Sequence, residues 1–444
     1  MTKKAETLEI PQLIQFLNQE LHDLPDQRKP GNNTRYKVED AVKGAFSVFF
    51  TQSPSFLEHQ RLMKSSKGKD NASSLFSLEK IPCDNQIRNL LDPIPAATIF
   101  GAFQKVYKWL KKKGVIPKFF YLDGEILIAL DGTEYFSSKK INCPHCNVRN
   151  HRNGTTTYFH GCINPVIVSP NRKEVINLEP EFIKKQDGKL KQDCENAAVK
   201  RWLRKNPHKK YGNRVTLLGD DLHSHQPICE LAQEQGYNFI FVCLESSHKT
   251  LYEWLEFLEK NGEVKTQEKK QWDGRRNLIY RYRYASRVPL RDGEASLEVN
   301  WCEVTVINEK TQEIIYKNNW ITNHEINDNN VAEIVKAGRS RWKIENEGYN
   351  VLKNHGYNLE HNFGHGQNHL CEFLLSLNLL AFLFHNVLDL VNATYQKVRD
   401  LLVTRTTFFN DIRTLLKYLW FKDWSDFFLF ILTENLPVKQ VDSS

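Results

Sequence analysis

Three acidic residues in this chain stand where ligands for a divalent cation would be wanted. Asp131 closes the apolar run Glu125-Ile-Leu-Ile-Ala-Leu-Asp131 and is followed by Gly132. Asp220 closes a second run, Arg214-Val-Thr-Leu-Leu-Gly-Asp220, and is doubled by Asp221. Runs this short and apolar predict buried strands, and in a parallel sheet ligands gather beyond the strand ends. Glu345 falls on a helical stripe of Val331, Val335, Gly338, Trp342, Glu345, Tyr349 and Leu352, in steps of four and three. A carboxylate on a core-facing stripe is costly unless a cation neutralises it. Arg341, one turn earlier, could do that as a plain ion pair, just as a strand-end aspartate by itself is usually a turn residue. Together, three hard oxygen ligands suit Mg2+ or Mn2+, and two such ions ~4 Å apart suit in-line phosphoryl transfer.

Patterning predicts the elements that must hold these acids. Residues 1–118 read as a helical domain, with amphipathic faces at 13–21 and 40–50 and a cap at Ser53-Pro54. A loop is expected at 64–74, then a helix from about 95 to 113 ending in three lysines and Gly114. A strand-rich core follows over 119–248, with strands at 125–131, 155–162, 165–169, 214–220 and 238–243 and helices at 194–205 and 226–234. Three strands, helix, strand, helix, strand is the order of a ribonuclease-H-like α/β fold, an antiparallel meander continued by parallel crossovers. Residues 249–325 read as a mainly β, basic insertion. It delays the last part of the core, 326–393, which carries the Glu345 helix, and 394–444 form a helical tail. The apolar stretch 370–391 is interrupted by Glu372, Asn378, His385, Asn386 and Asp389, which predicts a buried helix rather than a membrane span.

Composition narrows the class. The chain has 444 residues with 40% hydrophobic and 26% charged side chains, the balance of a globular protein with room for two or three domains. Nine cysteines at irregular spacing do not form a disulfide framework, and the start MTKKAETLEI holds no apolar signal core, so a reducing cytosol is expected. Basic charge is concentrated in two windows. Residues 189–214 hold nine Lys/Arg against Asp193 and Glu195, and 265–287 hold eight against Glu268 and Asp273. Such patches suggest a polyanion, most simply nucleic acid, although a solvated lysine-rich surface would look the same. Arg281-Tyr-Arg-Tyr284 puts arginines on one strand face and tyrosines on the other, suiting phosphate contact or a half-buried strand equally.

With these residues in view, the chain resembles the DDE transposases of bacterial insertion sequences, in the branch with a β insertion before the last acid. Leu130-Asp-Gly-Thr-Glu134, Leu218-Gly-Asp-Asp-Leu-His223 and Arg339-Ser-Arg-Trp-Lys-Ile-Glu-Asn-Glu347 carry the resemblance. Leu352-Lys-Asn-His-Gly-Tyr357 and Leu377-Asn-Leu-Leu-Ala-Phe382 also fit, and the likeness spans about 120–390. It implies a ribonuclease-H-like mixed sheet flanked by helices, with Asp131, Asp220 and Glu345 as catalytic and metal-binding acids for Mg2+ or Mn2+. It also implies DNA as partner, cut at element ends and joined to a target, in a cytoplasmic, nucleoid-associated homodimer. Arg341 and Lys353 match positions that contact DNA, and Arg275, Arg276, Arg281 and Arg283 of the insertion are further DNA-binding candidates. Two departures stand out. Gly338 occupies a tyrosine position, and Lys353 lies eight rather than seven residues past Glu345. Asp221 rivals Asp220, and Glu347 rivals Glu345 although it lies off the stripe. A nuclease without strand transfer, or a silent DNA-binding relic acting as a repressor, would share most of this pattern.

One further cluster has chemistry of its own. Cys143-Pro-His-Cys146 with His160 and Cys162 could close a zinc tetrahedron, but the second pair is unusually spaced and unpaired loop thiols are the default. His361, His365 and His369 repeat every four residues beside Gly364 and Gly366, which argues against a helix and for solvent or DNA-backbone contact.

Overall fold

The apolar runs do become strands, and their pairing decides where the acids go. A computed structural model of the chain describes residues 8–26, 28, 36–63, 71–185 and 195–434. Its strands are β1 (Ile126–Ala129), β2 (Gly132–Ser138), β3 (Asn147–Asn150), β4 (Thr156–Ile163), β5 (Val166–Val168), β6 (Ile176–Asn177) and β7 (Glu181–Ile183). They continue with β8 (Val215–Gly219), β9 (Asn238–Val242), β10 (Lys265–Trp272), β11 (Asn277–Pro289), β12 (Glu298–Asn308) and β13 (Ile314–Thr322). The chain divides into two units, one made of residues 111–133 and 161–348, the other of 1–110, 134–160 and 349–444.

The first unit is built on a nine-stranded mixed sheet in the order β10-β11-β12-β13-β9-β8-β1-β5-β6. β8 runs parallel to both β1 and β9, and the remaining pairings are antiparallel. β1 and β8 are buried at every residue, as central parallel strands covered on both faces must be. Three helices line up with this sheet in sequence: Glu195–Lys205 between β7 and β8, Gln226–Glu234 between β8 and β9, and Val331–Arg339 after β13. The last buries Val331, Ile334, Val335, Ala337 and Gly338.

Several sequence expectations are corrected here. The antiparallel neighbour of β1 is β5, followed by β6; the strand expected at 155–162 is β4, which pairs with β3 and, at its far end, β7. A two-residue strand such as β6 has too little pattern to be seen in sequence. Residues 265–272, in the basic window of the insertion, form β10, an edge strand almost wholly exposed. A charged edge strand has no apolar alternation to betray it, and its charges guard it against pairing with other chains. The insertion is not a separate body: β13 pairs with β9, so β10–β13 extend the same sheet.

The second unit is helical around Leu370–Val391. That helix is long and apolar enough to cross a membrane, yet 83% of its most apolar window is buried within the fold. Two of its buried polar residues are answered within the fold: His385 by Tyr395 Oη at 2.8 Å and the Phe50 carbonyl at 2.9 Å, and Asn378 Nδ2 by the Tyr357 carbonyl at 2.9 Å. The N-terminal helices, expected as a domain of their own over 1–118, belong with this helix and the tail. Asn71 Nδ2 donates to the Leu416 and Leu419 carbonyls, and Trp424 Nε1 to the Leu75 carbonyl. Residues 71–74, expected in a loop, open the helix Asn71–Phe76; the rest of that loop, 64–70, lies outside the described residues. Ser53 is not the cap expected of it. Its hydroxyl joins His59 Nδ1 at 2.9 Å, and Ser55 Oγ accepts the Glu58 amide instead.

Candidate active site

Register brings the two aspartates together. Ala129 of β1 is paired with Leu218 of β8 in parallel, and two residues further on each chain stand Asp131 and Asp220. Adjacent strands are ~4.8 Å apart, so Asp131 and Asp220 leave neighbouring strand ends, near enough for the Asp220 charge to act on the Asp131 carboxyl. Glycine flanks both. A Cβ on Gly132 would fall 2.4 Å from Glu195 Oε2, and one on Gly219 would fall 2.7 Å from His223 Nδ1. Only a bare backbone lets those two side chains approach this closely.

Arg341 ties the third acid in. Its Nη2 donates to Glu345 Oε1 at 2.8 Å, while Nη1 lies 3.6 Å from Asp131 Oδ2. The helical stripe that predicted Glu345 does not survive intact. The α-helix stops at Arg339, and residues Ile344–Tyr349 form a π-helical turn. The change of pitch leaves Trp342 44% exposed and the Glu345 side chain 52% exposed, although Val331, Val335 and Leu352 are buried as expected. Glu345 is therefore an exposed carboxylate held by an arginine, not a buried one. A π turn takes in one residue more than an α turn and is common at functional sites; the spacing from Glu345 to Lys353 carries the same one-residue excess.

Two further groups complete the cluster. Glu195 opens the helix Glu195–Lys205, and His223 lies in the turn after Asp220. His223 Nδ1 is 3.0 Å from Asp220 Oδ1 and its Nε2 is 3.5 Å from Glu195 Oε1. Both ring nitrogens of His223 and Oε1 of Glu195 are buried and make no well-formed hydrogen bond among the described residues. The sequence reading missed both. Glu195 reads there as an acid in a helix's first turn, a common pairing with the helix dipole.

No protein-family model and no curated protein matches this chain.

The electrostatics of the cluster then carry the argument. Burial pushes the Asp131 carboxyl up to about 7; Arg341 opposes this, while Glu195, Glu345 and Asp220 reinforce it. Burial raises Glu195 as well. For Asp220, burial works upward, but the contact with His223 and the charge of Arg341 more than offset it and hold the carboxyl below its usual range. Four carboxylates compete for one cationic side chain, and excess negative charge of this kind is what a hard divalent cation relieves. Among the described residues, Glu195, Asp220 and His223 bring ligand atoms within 4.8 Å of one another. Asp131 and Glu345 stand beside this group on Arg341, and a carboxylate-rich set is the kind that Mg2+ or Mn2+ takes.

The rivals have other employment. Asp221 Oδ1 accepts the Leu244 amide at 2.6 Å, and its Oδ2 accepts the Ser247 hydroxyl. Asp221 thus closes a loop, and Asp220 faces the other acids. Glu347 lies near Lys343, whose ammonium donates to the Arg172 carbonyl.

The DNA-binding candidates are more neutralised than the basic windows suggest. Arg276 pairs with Asp273, Arg281 with Glu268, and Arg283 with Glu259 and Glu303. In the other window Arg201 and Lys205 pair with Glu181, and Lys210 with Glu179. Arg275 sits in the exposed turn between β10 and β11, its amide bonded to Asp273. Lys353 lies in the helical unit and pairs with Glu360 at 2.8 Å. Instead, an open cleft of about 620 Å3 gathers Lys269, Lys336, Arg339 and Lys343 with Tyr280, Tyr282 and Trp342. None of the acids of the cluster lines it, but the Glu345-bearing segment does through Trp342 and Lys343. Two of its cations have neutral partners: Lys336 donates to Asn171 Oδ1 at 2.9 Å, and Arg339 stacks on Tyr316 at 4.5 Å, whereas Lys270, also on the cleft, pairs with Glu309. The charge of Lys336 and Arg339 stays available.

Proposed function

We propose that this chain is a metal-dependent DNA transposase of the DDE type, cutting DNA at the ends of an insertion sequence and joining the freed 3′-hydroxyl to a target. The observation that carries the reading is the β1–β8 register, which sets Asp131 beside Asp220, with Arg341 spanning Asp131 and Glu345. The strand order β9-β8-β1-β5-β6 supports a ribonuclease-H-like sheet, since two parallel crossovers and an antiparallel meander meet at β1. On this view β10–β13 are the insertion before the catalytic glutamate. The protein would act as a homodimer on nucleoid DNA.

Mg2+ or Mn2+ at the acids would supply activation of the attacking water or hydroxyl and stabilisation of the leaving oxygen. The chain's own residues do the rest. Arg341, a planar fork, keeps the carboxylates of Asp131 and Glu345 oriented toward one point. His223 fixes Asp220. The cleft's cations neutralise phosphates along the strand, and its exposed Trp342 offers a face on which an unpaired base can stack.

The test is incubation of the purified full chain with DNA bearing candidate element ends and Mg2+, scoring nicks and joined products. Asp131→Asn, Asp220→Asn and Glu345→Gln should each abolish both while DNA binding survives. Cutting without joining would make it a nuclease, and binding without either a silent DNA-binding protein. Unchanged cutting by all three variants would remove the acids from the chemistry.

A further inference from the structure

Within the helical unit a second cluster has the chemistry of a different metal. Cys143 and Cys146 bracket a tight turn in which the Cys146 amide donates to the Cys143 carbonyl at 3.2 Å, and the Cys143 amide points at Cys146 Sγ from 3.4 Å. His160 comes from β4, and His365 from the segment leading into Leu370–Val391. All four are buried, with exposures of 8%, 0%, 4% and 8% for Cys143, Cys146, His160 and His365.

Their ligand atoms converge. Cys143 Sγ and Cys146 Sγ are 3.8 Å apart; His160 Nε2 lies 3.5 Å from the first and 3.3 Å from the second. His365 Nε2 lies 3.4 Å from Cys146 Sγ, and all four atoms fall within 4.8 Å of one another. A tetrahedral zinc with bonds of ~2.3 Å to sulfur and ~2.05 Å to nitrogen has edges of ~3.8 Å between sulfurs and ~3.6 Å between sulfur and nitrogen. The observed separations match those edges. A Cys143–Cys146 disulfide does not fit, because it needs its sulfurs ~2.05 Å apart.

We infer that Cys143, Cys146, His160 and His365 bind one Zn2+ in a closed, structural site. Four protein ligands leave no open position for a substrate, so the role is to fasten rather than to catalyse. The ion would tie the β2–β3 turn and β4 to a segment 219 residues beyond Cys146. Aromatic rings shield it: Phe136 packs on His365 at 4.2 Å between centroids, and Tyr135 stacks on His160 at 6.0 Å. Cys162, which the sequence pattern offered as a possible fourth ligand, is not in the group, and His365, expected to face solvent or DNA, takes that place. The glycines at 364 and 366 argue against a helix around His365, and the segment 361–369 is a non-helical loop.

The inference is independent of the proposed enzymatic function. Full-length protein, untagged and purified under reducing conditions without chelator, should carry one zinc per chain by elemental analysis. Cys146→Ser and His365→Asn should lose it; Cys162→Ser and His361→Asn should keep it. Because a ligand variant can fail to fold, wild-type protein is also stripped and refilled with Co2+. A two-thiolate tetrahedral site then shows intense visible ligand-field bands and sulfur-to-cobalt charge transfer. Chelation should lower the melting temperature, and zinc should restore it. Wild-type protein with no zinc and no such cobalt spectrum overturns the inference, as does loss of zinc in Cys162→Ser with retention in His365→Asn.

Discussion

Arg341 reaches Asp131 from the far side of the fold's sequence: its Nη1 stands 3.6 Å from Asp131 Oδ2 while Nη2 holds Glu345 at 2.8 Å. One guanidinium thus answers two of the cluster's acids, and its side chain is only 20% exposed. Simple surface ion pairs contribute ~1 kcal/mol or less. Arg341 is mostly buried among acids, so Arg341→Ala should cost more stability than that, and on the proposed function DNA cleavage by the folded variant should still fall by orders of magnitude. Arg341→Lys should rescue part of it, because lysine keeps the charge and loses the fork. Single-turnover cleavage beside a thermal melt decides. A large drop in melting temperature with cleavage intact would make the arginine purely structural.

Asp220 and Asp221 should separate cleanly. Asp221→Ala strips acceptors from the Leu244 amide and the Ser247 hydroxyl, which should destabilise the fold by ~1–3 kcal/mol. Cleavage per folded molecule should persist. Asp220→Ala should lose cleavage per folded molecule as well as some stability, since its carboxylate accepts the Leu222 amide and holds His223. Denaturant melts and activity normalised to folded protein would distinguish them, and the opposite pattern would exchange their roles.

The metal-free protein should also reveal Asp131 through pH. Its carboxyl titrates near 3.8 when unfolded and is raised to about 7 in the fold. A raised carboxyl favours the folded state below its unfolded value and loses that contribution as pH rises through the folded one. Ionised Asp131 is thus a burden above pH 7. Asp131→Asn should be more stable than wild type at pH 8 in chelator, on the order of 4 kcal/mol for a rise of about 3 units at 1.36 kcal/mol per unit, a rise that already includes the contact with Arg341. The advantage should shrink toward pH 4. Equal pH profiles for the two proteins would refute the raised value.

Salt dependence should locate the DNA track. Each phosphate neutralised contributes ~0.9 to the slope of log affinity against log salt. Lys336→Gln, Arg339→Gln and Lys269→Gln together should flatten that slope by ~2–3, since these cleft cations form no ion pair with an acid among the described residues. Arg281→Gln with Arg283→Gln should change it less, because Glu268, Glu259 and Glu303 already share their charge. A larger effect from the second pair would move the track onto the insertion's outer face.

Local chemistry alone determined much of this protein. Apolar runs marked β1, β8 and β9, acids at their ends marked Asp131 and Asp220, and an arginine four residues before a glutamate marked the last member of the set. These are short-range signals, carried by consecutive residues whose burial or exposure follows from composition. Tertiary structure decided the rest, because pairing across hundreds of residues leaves no periodicity behind. It chose β5 rather than β4 as the neighbour of β1, turned 265–272 into an edge strand, and set the N-terminal helices against the tail. It brought Glu195 and His223 to the aspartates, since an acid in a helix's first turn looks the same whether it faces water or a metal. It exchanged Cys162 for His365, a choice that depends only on which loop folds back within ~4 Å of two thiols. And at Gly338, where the resemblance alone would put a tyrosine, a Cβ would meet Trp320 Nε1 at 2.8 Å and Ile240 Cγ2 at 2.9 Å. The indole of Trp320, from a strand far back in the chain, already fills that space, which no reading of the helix alone could reveal.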